Sequence, residues 1–105
     1  MRATLLLIFL LSVHLTYAQT TVIRVLDCET KTTLPGAHIG VFNLSKHPIK
    51  TLVTNTSGEV EIHKKDFHPL DSIILVNHYI GYETDTQTVD FSSSTVEINL
   101  NKSAV

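Results

Sequence analysis

The sequence predicts an all-β fold, a seven-stranded antiparallel β-sandwich, and three observations carry that prediction. Short runs rich in Val, Ile and Thr recur along the 105-residue chain. Within most of them apolar and polar residues alternate, the period of a strand buried on one face. Between them stand Gly, Pro, Asn and Asp, and no helical spacing occurs beyond residue 18. Strand after strand, joined by turns and without helices, packs as two sheets face to face.

The elements follow in order. Arg2, the apolar run Leu5 to Leu11 and the ending Thr16-Tyr17-Ala18 have the basic, apolar, small order of a secretory signal peptide. Residues 1–18 are therefore expected to be removed, leaving one domain over residues 19–105. Val22 to Asp27 is the first strand, with Ile23 and Val25 on one face and Arg24 on the other. Ala37 to Asn43 sets Ile39 and Val41 against His38 and Gly40. Lys50 to Thr54 is a short third strand, and Glu59 to His63 turns Val60 and Ile62 inward. Ser72 to His78 holds Ile73-Ile74-Leu75-Val76 without interruption, which predicts a strand covered on both faces. Tyr82 to Asp90 is threonine-rich and predicts an exposed edge. Thr95 to Leu100 closes the series with Val96, Ile98 and Leu100 inward.

Turn chemistry agrees with these boundaries. Pro35 fixes φ and Gly36 permits the left-handed region, so Leu34-Pro35-Gly36-Ala37 suits a tight turn whose exit needs a small residue. Asp27, ending the first strand, is placed to accept hydrogen bonds from loop N–H groups. Asn55-Thr56-Ser57-Gly58 is a hairpin signal, with Gly58 able to take positive φ. Pro48 and Pro69 are expected in connections, where a missing N–H leaves no gap in a ladder.

Composition excludes several classes of function. The formal net charge is −2, from 8 Lys and Arg against 10 Asp and Glu. No basic cluster exceeds Lys64-Lys65, so a nucleic-acid surface has no electrostatic footprint. After residue 18 no apolar run approaches the roughly 20 residues of a membrane helix. Cys28 is the single cysteine and cannot pair within the chain. Its neighbours Asp27 and Glu29 disfavour a thiolate. His38, His47, His63, His68 and His78 show no His-x-x-x-His spacing, and only His63 and His68 have a carboxylate three residues on. Solvated histidines, no metal and no cofactor are the expectation. No Gly-x-Ser-x-Gly elbow or glycine-rich phosphate loop is present. The Lys–Asn isopeptide lock of surface-adhesin sandwiches needs a lysine on an early strand, and the first strand offers only Arg24. An enzyme is not expected.

The stretches VLDCETKTTLPGAHIGVFN, TLVTNTSGEVEI, IILVNHYIGYETDTQTV and STVEINL follow one another in a familiar pattern. Together they resemble the carboxypeptidase-regulatory-like domain, a prealbumin-like (transthyretin-type) sandwich. The most specific pieces are Asp27 followed by Leu34-Pro35-Gly36-Ala37, and Tyr79-Ile80-Gly81-Tyr82. That last form looks most like the copies at the N-termini of TonB-dependent outer-membrane receptors. The chain departs from the family's Thr-Asp-x-x-Gly-x-Phe with Asn55 and Val60, and from the receptors in that no plug and barrel follow. It also lacks the Tyr-Arg-Gly-Ser tail of the prealbumin-like 5-hydroxyisourate hydrolase. The resemblance implies a non-catalytic interaction module, stand-alone or from a truncated receptor, exported to the periplasm or secreted. Its protein partner would lie at the outer membrane or in the periplasm. Asp27, Leu34, Pro35, Gly36, Ala37, Gly58 and Gly81 are expected to be turn residues. Tyr82, Thr84, Thr86 and Thr88 form the expected interaction edge. A small carbohydrate-binding or cell-surface sandwich, with Tyr79 or Tyr82 as a stacking platform, is the alternative.

Overall fold

The computed structural model describes residues 19–103; the expected signal peptide lies outside them. Seven strands appear: β1 (Thr20–Asp27), β2 (His38–Phe42), β3 (Pro48–Val53), β4 (Glu59–His63), β5 (Ile73–His78), β6 (Asp85–Val89) and β7 (Thr95–Leu100). One 3-10 turn, Lys64–Phe67, follows β4. The strands form two sheets, β4-β1-β7 and β3-β2-β5-β6.

Alternation decides what each sheet buries. Ile23, Val25, Ile62, Ile98 and Leu100 face inward from the first sheet. Ile39, Val41, Ile73, Leu75 and Val89 face them from the second. A slipped register would turn every one of these side chains to water, so the pairing is firmly specified. Phe67 and Phe91 close one end, their ring centres 5.6 Å apart, with the Lys50 ammonium 5.4 Å above Phe67. Leu34 and Ala37 close the other.

The structure corrects the sequence reading in five places. The sandwich is not wholly antiparallel, because β1 and β7 run parallel from Val22 opposite Thr95 to Asp27 opposite Leu100. Alternation shows which residues face inward but carries no information on the direction of a neighbour. β5 is covered on one face only: Ile73, Leu75 and Asn77 are buried, while Ile74 and Val76 are half-exposed on the outer face. Its apolar run therefore builds an apolar outer surface. Pro48 is not in a connection; it opens β3, which tolerates it as an edge strand with a bulge at Ile49, opposite the step from Val41 to Phe42. Ala37 stands just before β2. β6 is shorter than expected, starting at Asp85, because the chain from Tyr79 to Thr84 is a separate turn and crossing.

Candidate functional site

Two regions collect the singled-out residues: the loop end beyond Asp27, and the edge formed by β6.

At the loop end, Asp27 is 2% exposed yet fully partnered. Its Oδ1 accepts from the N–H groups of Glu29 (2.8 Å) and Thr30 (3.0 Å). Its Oδ2 accepts from the Tyr82 hydroxyl at 2.6 Å, with the Lys102 ammonium 3.8 Å away. The Tyr82 hydroxyl, the Thr30 and Glu29 N–H groups and the Lys102 charge hold the carboxyl well below the usual carboxylate range, outweighing burial. The same hydrogen bond, helped by burial and the nearby charge, pushes the Tyr82 phenol up to about 12. The two most specific motifs of the sequence thus meet in one contact.

The second lock is Thr54, which sequence reasoning missed. Its buried Oγ1 donates to the Leu34 carbonyl (2.7 Å) and accepts from the Ala37 N–H (2.9 Å). Its own N–H donates to Ala37, and its carbonyl accepts from Gly36. Leu34 and Ala37 are buried on either side of exposed Pro35 and Gly36, where φ is +80°. Gly58 (φ +72°) is buried, and a Cβ there would stand 2.6 Å from Cβ of Thr33. Asn55 Oδ1 accepts from the N–H groups of Ser57 and Glu59, so Asn fills the turn role the family gives to Asp. Gly81 (φ +86°) sits in the turn from Tyr79 to Tyr82, leaving Ile80 86% exposed.

The β6 edge differs from the expected one. Tyr82 does not belong to it, being drawn down onto Asp27 and bridged to Lys102. Nor does Thr84, which lies just before β6 with its hydroxyl beside His78; Thr86 and Thr88 are exposed and alternate cleanly with Asp85, Gln87 and buried Val89. Thr86 lies opposite Val76 and Thr88 opposite Ile74, so β5 occupies one side of β6. Among the described residues no strand pairs on its other side. A cleft of about 330 Å³ opens beside it, lined by Ser72, Gln87, Thr88, Val89, Asp90, Ser93 and Val96. Asp90 at its rim is held below the ordinary carboxylate value by the Ser92 hydroxyl and N–H.

Beneath β6, Asn77 is fully buried and donates to Oδ2 of Asp85 (3.2 Å), while its own Oδ1 has no partner. A second cleft, about 430 Å³, lies at the end opposite Asp27, among Gln19, His63, Lys64, Lys65, His68, Pro69, Leu70 and Asp71. Neither was legible in the sequence: the Asn77–Asp85 contact depends on the register of β5 with β6, and the cleft on how the segment 63–71 folds back beside Gln19. Among the described residues no three His, Cys, Asp or Glu gather into a metal-sized group. Cys28 is half-buried and donates to Oδ1 of Asn101 at 2.9 Å. No helix among these residues is long and apolar enough to cross a membrane.

No family model and no curated protein matches the sequence. Solved structures do match in shape. The shaft pilin SpaA of Lactobacillus rhamnosus GG, as a double mutant, superposes with a TM-score of 0.67 at 13% identity, over 82% of this chain and 46% of that one. The pilus 2b backbone protein of group B streptococcus gives 0.61 at 17% identity, over 81% and 41%. The isolated C-terminal domain of SpaA gives 0.53 at 13%, over 80% and 97%. The chain spans less than half the length of the first two. At such identities the likeness establishes a β-sandwich fold. It does not support the receptor N-terminal type that the motifs suggested.

Proposed function

We propose that the chain is a non-catalytic, exported interaction module that adds an extended segment of a protein partner to the outer side of β6. The observation that carries this reading is the undefended state of that edge. β3, the other edge of the same sheet, carries Pro48, Lys50 and a bulge, the usual protections against strand addition. β6, Asp-Thr-Gln-Thr-Val, carries no proline, no lysine and no bulge, and has a cleft beside it. Backbone pairing would supply affinity and the cleft would take an alternate side chain of the added strand.

The quoted motifs support a periplasmic or outer-membrane setting for the partner. The shape shared with pilus shaft proteins supports a second setting, the cell surface, with the same edge in use. The carbohydrate reading gains nothing from the structure. Tyr79 and Tyr82 pack edge to face at 5.5 Å and the Tyr82 hydroxyl is committed to Asp27, a poor platform for a sugar ring.

The test is crosslinking in periplasmic extract. Wild type should capture a partner that Thr86→Pro, on the exposed face of β6, does not. Equal capture by both would remove β6 as the interface.

A further inference from the structure

We propose that His38 and His78 form a surface site for a late divalent first-row transition-metal ion, Cu2+ in preference to Zn2+. They stand directly opposite each other in the antiparallel pair of β2 and β5. Facing is fixed by their neighbours: Ile39, Val41, Leu75 and Asn77 are buried between the sheets, so the alternate positions point outward. Both histidines are exposed on that outer face, beside Val53 of β3, which is opposite His38.

Opposed residues of such a pair hold their Cβ atoms about 4.5–5.5 Å apart. Two imidazoles rising from that base can converge on one ion at metal–nitrogen distances of about 2.0–2.1 Å. The ring of His78 is also oriented: its Nδ1 lies 3.3 Å from the Thr84 hydroxyl. With Nδ1–H donated to that oxygen, Nε2 keeps its lone pair for a metal, the arrangement in which an outer partner sets the tautomer of a ligating histidine. Imidazole pairs favour Cu2+ over Zn2+ and do not suit Mg2+ or Ca2+, which take oxygen. Water fills the remaining coordination positions, leaving room for one further donor. The spacing rules applied to the sequence look within a segment, so they pass over a pair that only strand register brings together.

The experiment is calorimetric titration of the tag-free protein with CuCl2 and ZnCl2, with histidine ring signals followed by NMR. One equivalent should bind, Cu2+ more tightly than Zn2+, with selective broadening of the His38 and His78 rings by Cu2+. His38→Asn and His78→Asn should each weaken binding at least about tenfold. Because both positions are exposed, urea midpoints should stay at the wild-type value. His63→Asn, in the cleft that also holds His68 and Asp71, should bind as wild type does. Wild-type affinity in the His38 and His78 variants, loss in His63→Asn instead, or no saturable binding to wild type would each overturn the site.

Discussion

Asp27 is held by donors from its own loop and from a turn far along the chain, so its charge reports on the whole loop end. Its carboxyl lies below the ordinary value of 3.8, so the folded state binds this proton less readily than the unfolded state. The stabilisation is full above that ordinary value and is lost as pH falls through the folded value. Tyr82 runs the other way: raised from 10.0 to about 12, it contributes fully below pH 10.0 and loses that contribution as pH rises to about 12. Tyr82→Phe should therefore flatten both the acid and the alkaline limb of a plot of urea midpoint against pH. Superimposable limbs for wild type and variant would remove the hydrogen bond from the account. The sequence showed Asp27 as a loop acceptor because two donors are local; it could not show the third, since nothing in the order of residues pairs position 27 with position 82. Thr54 was hidden for the same reason, its two partners lying in another loop.

At the scale of elements, inward faces were readable and neighbours were not. Alternation, apolar runs and threonine richness together found every strand, yet the apolar run of β5 suggested two covered faces where the sheet has one. The difference matters, because Ile74 and Val76 with Phe42 across the sheet give the outer surface its apolar character. The threonines of β6 were read as the edge, and the register puts β6 there, but the same reading swept in Tyr82, whose polar tip is used internally. Turns divide likewise. Gly36 needs glycine for its positive φ alone, since a Cβ would enter open space, whereas Gly58 needs it also for the approach of Thr33 and of the Leu34 N–H. Gly36→Ala should cost about 1 kcal/mol and Gly58→Ala about 2–4 kcal/mol in urea denaturation. Equal costs would mean that the contact between the β3–β4 turn and the Thr33 segment yields easily.

For the whole molecule, the two sheets share one core to which both ends of the described chain contribute. β7 brings Ile98 and Leu100, both buried, and completes the hydrogen bonding of central strand β1. A chain ending after Ser94 would leave that core open along one side and β1 unpaired on one edge. It should show no cooperative thermal transition by circular dichroism, whereas the full chain should melt in one step. A cooperative melt of the shortened chain would show that β7 is an accessory. The parallel pairing of β1 with β7 also sets a timetable. In a chain made from its N-terminus, residues 20–27 come first and meet β4 at residues 59–63, but their other neighbour arrives only with residues 95–100. Until then the leading strand waits with one side bare, although Asp27 can already meet Tyr82. A sandwich wired this way closes only once its last strand has arrived.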